Sequence, residues 1–449
     1  VSEDQKKALV GYYRVMQPVN VGFKRLKLKG LKEDTCYKVS GYAYDCYGDE
    51  LMQVGMILSD SASGVWKKGV NDKGDFQAER TKWENRFVLL RFWKKNYMMF
   101  LKDLKRFKME RLYDKLKAYS ESDFYAFHMP GHKRNKTLLG IELPYDLDIT
   151  EIDGFDDLHH ADGILKEEQE RAARVFGAEE SHFLVNGSTA GILSAVMGCT
   201  HRGDKILVAR HCHKSIYHAI YMNGLVPRYV YPEFDISMHM NGEISKEDVA
   251  KALAAEPDIK AVVIVSPNYD GVVSDVKGIA EVAHSYRIPL IVDEAHGPHF
   301  GFHPAFPGRA NDLGADVVIN SLHKTLPSLT QTAILHINGK LANRRRIKKY
   351  LDMLQSSSPS YIFMASLDAC VDFLDGKCEE AFELYVERLQ KFREELKPLQ
   401  HLQILRTEHY DISKVVISTA NANITSPELA DRLRKEYHLE MEMTGGTYV

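Results

Sequence analysis

No stretch of the 449-residue chain approaches the roughly 18 consecutive apolar residues of a membrane-spanning helix, and Val1-Ser2-Glu3-Asp4-Gln5-Lys6-Lys7 lacks the apolar core of a secretion signal. These absences predict a cytoplasmic protein with no membrane partner. An excess of charge of one sign is missing too. The 59 Lys plus Arg against 62 Asp plus Glu leave a net charge of −3, which excludes a broadly basic nucleic-acid binder and a strongly acidic tail protein. Cysteine is scarce: six residues, at positions 36, 46, 199, 212, 370 and 378, form no CxxC pair and are too sparse for a disulfide scaffold. They are expected to be reduced thiols. What remains is ordinary for a globular protein, 44% apolar and 27% charged, in a chain long enough for about three domains of roughly 150 residues.

Two patterns follow one another along the chain. From about residue 20 to 92, short alternating runs such as Phe23-Lys24-Arg25-Leu26-Lys27-Leu28, Cys36-Tyr37-Lys38-Val39 and Arg86-Phe87-Val88-Leu89-Leu90-Arg91-Phe92 predict antiparallel β-structure. Residues 93–108 are basic and aromatic without a clean period and are read as a linker or translated spacer. After Met109 the pattern becomes apolar strand, turn, helix, many times over. Lys205–Ala209, Ala261–Val265, Pro289–Val292 and Asp316–Ile319 are continuous apolar runs, as expected of parallel strands covered on both faces. Ser245-Lys246-Glu247-Asp248 predicts a capping box, and Val276–Tyr286 a further helix. The fold class is α/β, a mostly parallel doubly wound sheet whose ligands collect at the carboxyl ends of its strands.

Three pieces far apart in sequence fall at predicted strand ends. Phe183–Gly191 runs through Asn186-Gly187-Ser188-Thr189 into a helix; by itself this is either a cap and turn or a phosphate seat of free amides and hydroxyls. Ile291-Val292-Asp293 delivers a carboxylate at the end of a buried strand, where burial disfavours the anion unless a cation faces it. Asn320-Ser321-Leu322-His323-Lys324 delivers a lysine, which alone is an ordinary strand-end residue and with the other two is an amine for a Schiff base. Pyridoxal phosphate requires all three: a phosphate seat, an anion for its pyridine nitrogen and a lysine for its aldehyde. His296 and His299 lack a third ligand at suitable spacing, so no metal is expected.

On Phe127-His128-Met129-Pro130-Gly131-His132-Lys133, Asp148-Ile149-Thr150-Glu151, Asp156-Asp157-Leu158-His159, His211-Cys212-His213-Lys214-Ser215, Asp293-Glu294-Ala295-His296-Gly297 and Ser321-Leu322-His323-Lys324, residues 109–449 resemble the Orn/Lys/Arg decarboxylase family, in the shorter form without an N-terminal receiver-like wing. The resemblance implies a fold type I pyridoxal-phosphate enzyme with Lys324 as the Schiff-base lysine and Asp293 paired with the pyridinium. Ser188, Thr189, Ser321 and His323 would hold the phosphate, with His213 stacked on the ring and Ala295 on its other face. It also implies a homodimer or higher homo-oligomer. Residues 1–92, through Phe23–Leu31, Tyr47–Met52 and the strand at 83–92, resemble the C-terminal β-domain of family 36 α-galactosidases; the barrel bearing that family's catalytic carboxylates is not in this sequence.

The expected organisation is therefore 1–92 antiparallel β segment, 93–108 linker, 109–375 pyridoxal-phosphate-binding large domain, and 376–449 the start of a truncated small domain. Val1 at the start and Thr447-Tyr448-Val449, read as a strand just beginning, suggest an incomplete or composite chain in which the tail of one gene runs into its neighbour. The expected activity is decarboxylation of lysine, arginine or ornithine, with the acidic loop Glu151, Asp153, Asp156 and Asp157 offered for the substrate's distal cation. Aminotransferase or lyase chemistry on the same scaffold, or a catalytically dead chimera, are the alternatives.

Overall fold

Seven strands assemble into one sheet, and the central ones are buried on both faces. The computed structural model describes residues 111–449 apart from 138, 237 and 238, together with the backbone of six short strands between residues 25 and 81. The chain divides into two units, Val1–Phe107 and Lys108–Val449. In the first, Arg25–Leu26 pairs antiparallel with Met56–Ile57, Cys36–Tyr37 with Cys46–Tyr47, and Val65–Val70 with Phe76–Thr81. The expected strand at 83–92 and the linker at 93–108 lie outside the described residues.

The sheet of the second unit comprises β1 (Glu180–Leu184), β2 (Lys205–Ala209), β3 (Val226–Val230), β4 (Val262–Val265), β5 (Leu290–Asp293), β6 (Val317–Asn320) and β7 (Ala333–Ile337), in the order β1-β7-β6-β5-β4-β2-β3. Neighbours from β6 through β3 are parallel, whereas β7 is antiparallel to both β6 and β1. The four apolar runs named in the sequence are all parallel, in keeping with a mostly parallel sheet, and β7 is its antiparallel member. All five of its residues are buried, so its composition carries no mark of direction.

Eleven helices are described: α1 (Leu112–Ser120), α2 (Ile164–Phe176), α3 (Gly187–Cys199), α4 (Lys214–Asn223), α5 (Lys246–Ala255), α6 (Val276–Ser285), α7 (Leu322–Thr325), α8 (Arg344–Leu354), α9 (Tyr361–Leu374), α10 (Glu379–Leu396) and α11 (Ser426–Tyr437). Strand alternation splits the core into two layers. Ile206, Val208, Val263, Ile291 and Ile319 pack with Ile192, Ile216 and Ile347 from α3, α4 and α8. Leu207, Val262, Ile264, Leu290 and Val318 face the other way, onto Val249 and Leu253 of α5 and Ile279 and Ala283 of α6. A third cluster joins α1, α2, α9 and α10 through Leu112, Leu165, Tyr361, Leu367 and Phe382.

Only half of the capping box expected at Ser245 forms. Ser245 Oγ accepts from the Asp248 N–H at 3.4 Å, while the Asp248 carboxylate accepts from Lys251 Nζ at 2.9 Å. Aspartate is one methylene shorter than the glutamate or glutamine that closes such a box. Thr425 and Glu428 make the reciprocal pair at the start of α11. Val449 exchanges backbone hydrogen bonds with Ile417, so the chain's last residues lie in extended pairing.

Candidate active site at the carboxyl ends of the strands

Each candidate residue sits where a strand stops. Asp293 ends β5, Ser321 follows β6 and Lys324 lies on the short α7; Gly187 opens α3 just after β1, and His213 precedes α4 after β2. Gly187 adopts φ +71°, a left-handed conformation that glycine takes without steric cost, and its N–H donates to Gln331 O at 3.0 Å. Asn186, at the N-cap of α3, makes no side-chain cap among the described residues; its Oδ1 accepts from the Ser356 N–H at 3.0 Å instead. No side chain therefore caps the start of α3. Ser321 Oγ donates to Ser188 Oγ at 2.9 Å, which joins the two hydroxyl-bearing turns, and His323 Nδ1 stands 3.0 Å from Thr332 O. Thr189 is exposed on the same turn.

Asp293 is 2% exposed and accepts the Ala295 N–H at 3.1 Å. Burial raises its pKa to about 6, against the pull of that N–H and of Lys324. Lys324 is exposed as a residue, yet desolvation lowers its pKa, with Asp293 opposing. The amine lies 2.9 Å from His296 Nε2, and on the other side of the same imidazole Lys414 Nζ lies 3.1 Å from Nδ1. Desolvation, reinforced by Lys414 and Lys324, pushes His296 down to about 2. Tyr269 meets the His296 ring edge-on at 5.1 Å and donates its hydroxyl to Glu442 at 2.9 Å.

Residues 110–421 match the family described as Orn/Lys/Arg decarboxylase, major domain. The arginine decarboxylase of Bacillus subtilis is 34% identical over 348 residues, 74% of this chain and 71% of that protein. The chain belongs to the Orn/Lys/Arg decarboxylase family. An uncharacterized protein of the same bacterium, YaaO, is 42% identical over 275 residues, but only 57% of its length is covered. Among solved structures, the constitutive lysine decarboxylase of E. coli aligns with a TM-score of 0.66 at 22% identity, over 78% of this chain and 59% of that one. An alanine–glyoxylate aminotransferase from Nostoc aligns with a TM-score of 0.51 at 16% identity. These two likenesses establish the fold, a fold type I α/β architecture. Residues 1–81 match the glycosyl hydrolase family 36 C-terminal domain.

Within this decarboxylase-family chain, Asp293, Ala295, Ser188, Ser321 and Lys324 converge on one edge of the sheet. His213 is the N-cap of α4, its Nδ1 accepting from the Ser215 N–H at 3.3 Å, and desolvation followed by the Lys324 charge lowers its pKa. The acidic loop proposed for the substrate's distal cation is occupied in part by local structure. Asp156 accepts backbone N–H groups of Asp157, Asp162, Gly163 and Leu165, and Asp157 accepts from His159 N and contacts His160 Nδ1. Both carboxylates hold the turn before α2. His299 pairs with buried Asp411 at 3.2 Å, and among the described residues no group of three His, Cys, Asp or Glu side chains is arranged for a metal ion. His296, Lys414, Tyr269 and Glu442 were missed by sequence reasoning. His296 lies within Asp293-Glu294-Ala295-His296-Gly297, where the sequence offers it only as a metal ligand beside His299, and the others come from segments with no local signature.

Proposed function

We propose that the chain binds pyridoxal phosphate and decarboxylates a basic amino acid, lysine, arginine or ornithine, to the corresponding amine and carbon dioxide. The observation that carries the reading is a lysine amine and a buried, cation-seeking carboxylate on adjacent strand ends, next to an uncapped helix start. The residues fit the cofactor's chemistry. Asp293 is a buried carboxylate with a raised pKa that a protonated ring nitrogen would relieve, and the α3 amides with Ser188, Thr189, Ser321 and His323 suit a phosphate. His213 and Ala295 would flank the ring. Once bound, pyridoxal phosphate supplies the electron sink for loss of the α-carboxylate.

The chain's own groups do the remaining work. Lys324 would hold the cofactor's aldehyde and is placed to exchange a proton at the substrate's α-carbon, with His296 beside it as a proton partner. Glu442, held by Tyr269 and close enough to influence both Lys324 and Lys414, is proposed to receive the substrate's distal cation in place of the acidic loop. Incubation with pyridoxal phosphate and each of the three amino acids, with the product identified by mass spectrometry, tests the reading. An amine product and borohydride-fixed cofactor on Lys324 are expected. Absence of amine, or the adduct on another lysine, overturns it. Glu442→Gln should raise KM for the basic substrate by roughly 10-fold or more, as loss of a charge-assisted contact would.

No helix among the described residues is long and apolar enough to cross a membrane. A homodimer is the proposed assembly, supported by an exposed apolar segment in which Tyr125 is 80% and Phe127 90% accessible.

A further inference from the structure

One imidazole between two lysine amines imposes a constraint. A neutral imidazole has one N–H and one lone pair, whereas an ammonium has three protons and nothing to accept with. His296 therefore cannot serve two ammonium groups, and burial keeps it from taking a proton of its own. For both contacts to be hydrogen bonds, at least one of Lys324 and Lys414 must be uncharged.

The surroundings choose between them. Lys414 Nζ lies over the Tyr269 ring, 5.8 Å from its centre; desolvation lowers its pKa, and three carboxylates, Asp411, Glu442 and Asp270, oppose that shift. Lys324 is lowered by desolvation too, but it has only Asp293 and Glu442 in opposition and the Lys414 charge acting with desolvation, whereas among the described residues no cation acts in that way on Lys414. The loop that carries Lys414 is fixed. Arg393 donates to the carbonyls of Ile412 and Lys414 at 2.9 and 2.7 Å, Tyr410 donates to the Lys414 carbonyl at 3.0 Å, and Ser413 donates through N–H and hydroxyl to Asp411 at 2.9 and 2.7 Å. Asp411 in turn is anchored to buried His299.

We propose that Lys414 is a positioning residue that holds Lys324 in its uncharged, nucleophilic form through His296. The Lys414 ammonium donates to Nδ1, which keeps the imidazole proton on Nε2. That proton is then donated to the lone pair of Lys324 Nζ, so the amine is neutral and its lone pair is held in one direction until a carbonyl displaces the imidazole. The inference rests on the reading of Lys324 as the carbonyl-capturing lysine, but its test does not require that reading.

The full-length chain without cofactor is trace-labelled with acetic anhydride from pH 6 to 10, and the acetylated fraction of the Lys324 peptide is read by mass spectrometry against the other lysines. Lys324 should label with a midpoint well below theirs. In Lys414→Met the midpoint should rise by about one pH unit, leaving Lys324 roughly 10-fold less reactive near pH 8. Lys414→Arg, which keeps a charged donor, should restore the low midpoint. Should Lys414→Met fail to fold, Lys414→Leu, which likewise removes both the donor and the charge, should show the same rise. An unchanged midpoint in the neutral variants, or an equal rise in Lys414→Arg, overturns the proposal. Titration of the same proteins with pyridoxal phosphate separates the two readings: a chain that takes no cofactor yet shows the shift refutes the cofactor site and leaves the lysine relay standing.

Discussion

Asp293 is held in a state that suits a ligand better than it suits the empty fold. Its pKa of about 6 lies above the ordinary 3.8, so the folded chain binds that proton more tightly than the unfolded one does. The resulting penalty on stability is absent below about pH 4 and fully present above about pH 6. Asp293→Asn should therefore raise the melting temperature of the cofactor-free chain at pH 8, with a margin that closes as pH falls to 4. The same substitution should cut turnover on the order of 100-fold, equivalent to about 2.7 kcal/mol of transition-state stabilisation, because a neutral amide no longer favours a protonated ring nitrogen. Calorimetry and steady-state rates on one preparation check both. A variant that is neither more stable nor slower would remove Asp293 from the role assigned to it.

The helix that follows the Gly187 turn, α3, also lies in close contact with α8. A Cβ on Gly198, near the end of α3, would stand 2.8 Å from Ile347 Cα and 2.9 Å from Ile347 N on α8. These are backbone atoms and cannot turn aside. Gly198→Ala should push α3 and α8 apart and cost about 1–3 kcal/mol in urea unfolding. At the other end of α3 the limit is conformational rather than steric. A Cβ on Gly187 would meet only Gln331 O, at 3.9 Å, yet φ +71° disfavours any L side chain. Gly187→Ala should cost roughly 1 kcal/mol of stability and weaken phosphate retention out of proportion, since the strain would be released by shifting the amides proposed to hold it. Equal losses of phosphate affinity in the two variants would show that the turn has no special part.

Across the whole chain, every residue assigned to the site lies in the unit Lys108–Val449. A chain beginning at Met109 should take up pyridoxal phosphate with the same affinity, within about twofold, as the chain that retains residues 1–108, read by visible absorbance during titration. Cofactor uptake by the longer chain alone would make the N-terminal segment, which matches a glycosidase C-terminal domain, part of a working fusion rather than a translated neighbour.

Strand ends were legible in the sequence because burial on both faces leaves unbroken apolar runs, and a polar residue that stops such a run marks where the sheet meets solvent. Asp293, Ser321 and the turn at Gly187 were found in that way, and Lys324 one turn further on. The same two-sided burial hid the antiparallel direction of β7, since alternation is the mark that distinguishes strand surroundings and β7 has none. The half-formed cap at Ser245 shows the limit of a motif whose geometry depends on one methylene. Lys414 and Glu442 could not be read from their neighbours in sequence, because Ile412-Ser413-Lys414 and Met441-Glu442-Met443 look like any surface loop. Their place beside Lys324 was decided by the packing of α10 and the loops after it, where Arg393 and Asp411 fix the backbone that carries the second lysine. A sequence records which side chains a strand end delivers; which charge faces them from a distant segment is set only when the chain closes around the site.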